Sequence, residues 1–433
     1  MKAFRVLPIV LALIVFHLPF ANSSGWAAEN NKDRTKSIDL LWRQVVTPYL
    51  NDDVFREPYA YDSSHALMLP MIYAFTGCYE SRSWMRRDFH EAFSRFLESS
   101  SPYEFKNSQI KSQFYYFSTK YVSLASECDE SDKAVMRLAR WVEESLYAHW
   151  TSTPIIHWTE KYRLKGVKGS LEWKLSNSAV TRSYYSAIVD EELFALAAGA
   201  ELLSAYSKRS TAFAPFLYEI TNKFYSTIRR YGRFLPDGGW LFQPGAWQDH
   251  PDFKYAHHQQ LEPGLEPAVT EGISWDSSHS HRMPLLLKSL FDGLSATGNG
   301  PAALEISEVI DGFRLQFEMH VLVGAESDRD GLLINNYMDG GNGVYRYSYQ
   351  TVGNNLGYGP YQLSGIMLEG WFALAGSSAL KCEYEELKFP LSRELLDIYV
   401  GPNTSRVRHP LVQWPAYFTN GFAELHAQIA ASI

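Results

Sequence analysis

Apolar residues recur at three- and four-residue spacing over 36–50, 82–99, 107–126, 131–149, 184–206, 211–231, 284–296, 302–322 and 415–431. That spacing lines one face of a 3.6-residue helix, so each segment is predicted to be helical. In 131–149, Val135, Leu138, Trp141 and Val142 define the apolar face, with Arg137, Arg140 and Glu144 largely off it. Strand-like alternation is scarce, and 343–352 is the best candidate for a hairpin strand. No Pro/Gly/Ser-rich linker divides the chain. The long irregular stretches, 150–180, 233–275 and 325–360, are rich in aromatics, Gly, Asn or His. Loops of that length in a compact protein usually carry function. Helices recurring every 30–60 residues with decorated loops predict an all-α fold, an (α/α) toroid of helical hairpins with little β. An irregular bundle or a solenoid of helical repeats is the alternative.

One pattern points to internal symmetry. Tyr61-Asp62-Ser63-Ser64-His65 and Trp275-Asp276-Ser277-Ser278-His279 each read aromatic-Asp-Ser-Ser-His, then four residues, then Pro70 or Pro284. Asp and Ser cap helix starts, and Pro is tolerated in a first turn, so both copies are expected at or just before a helix N-terminus. Capping alone accounts for the Asp and Ser. It does not account for His281 and Arg282 in the second copy, or for the crowding of His250, His257, His258, His279 and His281 within some thirty residues.

The first 27 residues change the picture of where the chain works. Lys2 and Arg5, an apolar run from Val6 to Phe20, and small residues up to Ala27 and Ala28 form a secretory signal pattern. Cleavage near Ala27 or after Ser23 fits equally, and an uncleaved N-terminal anchor is the alternative. Residues 28–433 then form a single toroid that is secreted or periplasmic, with no membrane insertion after signal removal. The chain has 433 residues, 46% apolar and 15% aromatic, which excludes a disordered chain, a collagen-like fibre and a disulfide-knotted miniprotein. Losing the leader leaves 38 basic against 48 acidic residues, a balance that argues against nucleic acid as partner. Of Cys78, Cys128 and Cys382, at most one pair can bridge within the chain, Cys78–Cys128 among the options, and no metal-type Cys spacing exists.

The loops carry the candidate chemistry. Residues 237–258 interleave Trp240, Trp247, Asp249, His250, Lys254, Tyr255, His257 and His258 without apolar periodicity. Sugars are bound by this mixture, because their C–H faces stack on rings and their hydroxyls pair with carboxylates, amides and imidazoles. His65, Trp275, Asn335, Asn336, Tyr337 and Arg346 extend the set of candidate substrate contacts. The run Arg182-Ser183-Tyr184-Tyr185 leads to Asp190, Glu191 and Glu192 at a helix start, where acidic residues are favourable whatever their function. In a ring of helices, several N-termini would point into one cup and favour anions there, with Arg182, Lys254, Arg282 and Arg346 adding to the effect.

The signal pattern, the hairpin periodicity and these loops resemble the toroidal carbohydrate-active enzymes, both polysaccharide lyases and hairpin-ring glycoside hydrolases. The resemblance is one of architecture over most of the chain. The Asn-Asn-His run of alginate-type lyases is missing; Asn335-Asn336-Tyr337 and Asn354-Asn355-Leu356 come nearest. The resemblance implies a polysaccharide as partner, and local chemistry nominates the residues. For β-elimination on a uronate, Arg282 with Asn335 or Asn336 would hold the carboxylate. His279 or His281 would be the base, and Tyr184, Tyr185 or Tyr255 the acid. For hydrolysis, Asp62 and Asp276 form the carboxylate pair, with Asp190, Glu191, Glu271 and Glu369 in reserve. An epimerase would use the lyase set, and a non-catalytic binding protein of an export system would use the same groove without turnover. No cofactor is required, and a bound divalent cation is compatible with Asp276, His279 and His281. On a helix, though, 279 and 281 do not share a face, so no metal ligand is assigned. No Gly-x-Ser-x-Gly elbow supports a serine nucleophile.

Overall fold

A computed structural model describes residues 33–99, 105–128, 133–152, 154–156, 163–176, 180–323, 331–348, 356–402 and 408–433. The expected leader, 1–27, and Asn354-Asn355 lie outside them. The helices are α1 (33–51, with a π turn at Trp42–Val46), α2 (Ala60–Phe75), α3 (Ser83–Ser99), α4 (Ser108–Glu127) and α5 (Lys133–Thr151). They continue as α6 (Gly166–Ser176), α7 (Asp190–Lys208), α8 (Pro215–Tyr231), α9 (Met283–Ala296) and α10 (Gly300–Gln316). The last are α11 (Ser378–Glu386), α12 (Arg393–Val400) and α13 (Phe422–Ala430).

Sequence alternation between inner and outer helices builds an all-α toroid. Among the described residues α2 packs on α4, α4 on α7 and α7 on α9. Helix α9 packs on the 3-10 turn Trp371–Ala375, that turn on α13, and α13 on α2, which closes the ring. Outside it, α3 lies on α2, α5 on α4, α8 on α7 and α9, α10 on α9, and α1 on α13. The inner helices are buried all round: α2 is buried at every position but Tyr61, and α7 at nearly every one. Each fully buried Leu or Met contributes roughly 1.5–3 kcal/mol, so the inner ring is where the hydrophobic drive concentrates. The outer helices are amphipathic and carry the clear periodicity. Close inner packing needs a small residue at Gly293, where a Cβ would lie 3.0 Å from the Ala200 Cβ.

Helix starts are satisfied by local side chains. Asn107 accepts from Gln109 N and Ile110 N at the head of α4, and Glu192 reaches back to Val189 N at 2.9 Å at the head of α7. Cys78 and Cys128, at the far ends of neighbouring α2 and α4, form a disulfide, and Cys382 is free and exposed. No helix among the described residues is long and apolar enough to cross a membrane.

Three expectations are corrected. The segment 343–348 is not a strand: Tyr345 makes one isolated antiparallel bridge with Tyr358, and 349–352 lie outside the described residues. Strand instead occurs as short hairpins, one pairing Gly232–Phe234 with Trp240–Phe242. Pro70 lies well inside α2 rather than in a first turn, whereas Pro284 does stand at the head of α9. The irregular stretch 150–180 contains α6.

Candidate active site

The N-terminal ends of α2, α7 and α9 meet in the ring and bring both Asp-Ser-Ser-His copies together. Tyr61 and His65 come from the first turns of α2, Asp190 from the first residue of α7, and Arg282 from the residue before α9. Arg282 links all three. Its Nη1 donates to Asp190 Oδ2, and its Nη2 donates to Tyr61 OH at 3.1 Å and lies 3.4 Å from His65 Nε2. A guanidinium can only donate, so His65 Nε2 is the acceptor and Nδ1 carries the proton. That Nδ1 donates to Glu369 Oε2 at 3.0 Å. Glu369 ends one 3-10 turn and Trp371 begins the next. Between them Gly370 takes φ 75°, and a Cβ there would meet Leu69 at 2.3 Å. Trp371 stacks on His65 with centroids 5.1 Å apart.

The second copy is held differently. Asp276 caps the single turn Ser277–Ser280: its carboxylate accepts from Ser278 Oγ at 2.5 Å, from His279 N at 3.2 Å and from His279 Nδ1 at 2.7 Å. A carboxylate accepting at Nδ1 fixes the tautomer with a lone pair on Nε2. His279 Nε2 lies 3.8 Å from Asp190 Oδ2, and the His279 side chain is 20% exposed. Below it the rings of His279, Trp275, Trp247 and Phe253 form a near-parallel stack, with interplanar angles of 14°, 14° and 16°. His281 points the other way. Its Nδ1 lies 2.6 Å from the Ser278 carbonyl, and its Nε2 lies 3.3 Å from Glu369 Oε2.

These contacts set the charges. Burial pushes the Asp190 carboxyl up, but the Arg282 guanidinium and His279 together more than reverse it. Asp276 is held far below the usual range against its burial, chiefly by His279. Burial lowers His65 to about 4, only partly opposed by Glu369, and it also lowers His281. Burial raises Glu369 and the His65 imidazole beside it acts to lower it; on balance it lies well below the usual range and stays a carboxylate. Next to Asp190, the Glu191 carboxyl is raised by burial to about 7.

Several sequence candidates have other work. Asn336 is buried and donates to Gly343 O and Gly359 O, both at 2.9 Å, and Asn335 donates to His320 O at 2.8 Å. Their carbonyls accept from Ser277 N and Ser277 Oγ, so this strand of chain pins the second motif copy instead of facing a ligand. Tyr337 is buried and donates to Val344 O. Trp240, Trp247 and Trp275 are buried in the core, not displayed as stacking platforms. Asp62 lies 3.6 Å from Arg408 Nε and Asp276 is fully buried, so they do not form an open carboxylate pair.

Asp249 accepts from Ser183 and Tyr184 N, which places Tyr184 edge-on to His250, with Tyr185 against Tyr184, and His250 packs edge-on to Trp247. Arg346 pairs with Asp252 at 3.0 Å. Tyr255 packs on Tyr347 in a separate small cluster with Leu265 and Val344. Lys254 is half-buried on that loop, and His257 is exposed beside His258. Sequence reasoning passed over Tyr61 and Trp371. Tyr61 is the counterpart of Trp275 in the repeat, a signal that was available; Trp371 lies in irregular backbone and gave none.

Comparison with known proteins gives no match: no family model matches the chain, and no curated protein or solved structure matches it.

Proposed function

We propose that the chain is an enzyme that cleaves a uronate-containing polysaccharide by β-elimination. The observation that carries this reading is the Asp276–His279 pair, an oriented imidazole with Nε2 3.8 Å from Asp190 in the cup where Arg282 donates to the Tyr61 hydroxyl. His279 Nε2 takes the proton from C5 of the uronate. The electron pair forms the C4–C5 double bond, the C4–O bond breaks, and the leaving oxygen takes its proton from Tyr61 OH. Arg282 stabilises the phenolate so formed, and Asp190 stabilises the imidazolium at 3.8 Å. Tyr61 takes the place of Tyr184, Tyr185 and Tyr255 in this scheme because its hydroxyl accepts from Arg282. A secreted or periplasmic location belongs to the same proposal, in keeping with the Cys78–Cys128 bond.

Hydrolysis is the second reading, since the cluster also holds carboxylates. Asp190 and Glu191 do not form its pair, because Asp190 faces Arg282 while Glu191 lies 3.5 Å from His149 Nε2. Incubation with a panel of acidic and neutral polysaccharides separates the readings. New ultraviolet absorbance from a C=C bond together with new reducing ends marks elimination. Reducing ends without absorbance mark hydrolysis, and binding without either product marks a non-catalytic groove.

A further inference from the structure

We propose that His65, His281 and Glu369 form a binding site for one transition-metal dication, with zinc as the reference ion. The three side chains offer ligand atoms that all lie within 4.8 Å of one another. Glu369 Oε2 is the hub, 3.0 Å from His65 Nδ1 and 3.3 Å from His281 Nε2. Ligand atoms that share a tetrahedral ion at bonds of about 2.0–2.1 Å sit roughly 3.3 Å apart, so two edges are already close to the required length.

A second observation points to the ligand. The Ser278 carbonyl, 2.6 Å from His281 Nδ1, can only accept, so the proton of the neutral ring is on Nδ1. The buried Nε2 then presents a lone pair, and it has no hydrogen-bond partner among the described residues. It faces a carboxylate oxygen, another acceptor. Two lone pairs directed at each other in a buried place are unfavourable, and a cation between them removes the conflict. Two imidazoles and one carboxylate are borderline ligands that suit zinc and its neighbours and not calcium or magnesium.

The surroundings fit this charge. Arg282 is neutralised by Asp190, so the carboxylate of Glu369 is free to balance the ion. On loading, His65 changes tautomer: Nδ1 gives up its proton to solvent and Nε2 takes one up, with no net release, so Nε2 becomes a donor and the 3.4 Å contact with Arg282 is given up. Arg282 keeps Asp190 and Tyr61. The side chain of Glu369 is 18% exposed, which gives the ion a side open to the cup. On the elimination reading, that open position is where the uronate carboxylate would bind, since Arg282, Asn335 and Asn336 are occupied. This last step rests on the elimination reading; the metal site does not.

The test uses the full chain, stripped with a chelator and titrated with Zn²⁺ by calorimetry and with Co²⁺ by visible absorption. One ion per chain is expected, with the d–d bands of a nitrogen–oxygen site. Glu369→Gln and His281→Ala each weaken binding by about a hundredfold or more. The His257–His258 pair on the loop is the control: His257→Ala with His258→Ala leaves binding unchanged. Near-ultraviolet circular dichroism reports folding, and if His281→Ala does not fold, the wild-type stoichiometry and Glu369→Gln decide. Absence of a stoichiometric site in the wild type overturns the proposal. So does binding that survives Glu369→Gln, or binding that disappears with His257 and His258. Ion binding in a chain that releases no unsaturated product upholds the metal site and removes the elimination reading.

Discussion

His279 owes its place in the cup to three residues that hold it from three directions. Asp276 fixes its tautomer, Trp275 supports its ring face, and Asp190 waits 3.8 Å from Nε2. Asp276→Asn keeps the volume but lets the amide donate, which favours the wrong tautomer. We expect kcat to fall by about 10³–10⁴ with KM little changed, as read from initial rates of product formation. A loss below tenfold would separate the dyad from the chemistry. The Asp–His spacing of three made this pair legible in the sequence, since residues three apart share a helical face. The Glu369 and Arg282 contacts were not legible, because they join positions 304 and 217 residues from His65 through irregular backbone.

Glu191 gives a second prediction at this scale. Burial raises its carboxyl to about 7 from an ordinary 4.5, so the folded state holds a proton that the unfolded chain releases. Its contribution is therefore fully present below about pH 4.5 and is lost as pH rises towards 7. Relative to Glu191→Gln, wild-type stability should fall by on the order of 3 kcal/mol across that window, measured by urea unfolding at several pH values. A difference that does not change with pH would contradict the burial argument.

At the scale of elements, inner helices are tied by buried polar pairs as well as by packing. Lys120 of α4 donates to Glu201 of α7 at 2.8 Å, and Ser289 of α9 donates to the same carboxylate at 2.5 Å. The Lys120 ammonium, with hydrogen bonds from Ser289 and Ser123, more than reverses the effect of burial on Glu201 and keeps it ionised. Lys120→Met leaves that charge uncompensated and should cost about 3–5 kcal/mol. Adding Glu201→Leu should recover much of the loss, a sign change that urea denaturation of the single and double variants would reveal.

Helix legibility follows from the same burial. The outer helices α3, α5 and α8 show an apolar stripe against a polar face and are found close to their predicted bounds. Helix α2 is wrapped on all sides, so it has no stripe, and periodicity missed it as a segment; only the capping logic of Asp62 hinted at it. Pro70 then misled, because tertiary packing holds it inside the helix at a position where propensity alone forbids it.

At the scale of the molecule, the alternation of inner and outer helices was readable as a toroid, while closure was not. The inner place between α9 and α13 is filled by two 3-10 turns, Ser364–Glu369 and Trp371–Ala375, and they are what bring Glu369 and Trp371 to the cup. Near the opposite ends of α2 and α4, the disulfide closes a separation of 50 residues. Reducing it, or replacing both cysteines by Ser, should lower unfolding stability by about 2–4 kcal/mol without abolishing the fold. Loss of all cooperative unfolding on reduction would mean that the ring is not held by its core.

The most direct test of the central claim is a parallel reading of ultraviolet absorbance and reducing ends on uronate polymers, with wild-type chain and with His279→Ala. The account predicts that both signals rise together in the wild type, and that both fall by about a thousandfold in the variant while near-ultraviolet dichroism stays unchanged. Reducing ends that rise without absorbance, or full activity in His279→Ala, would contradict it.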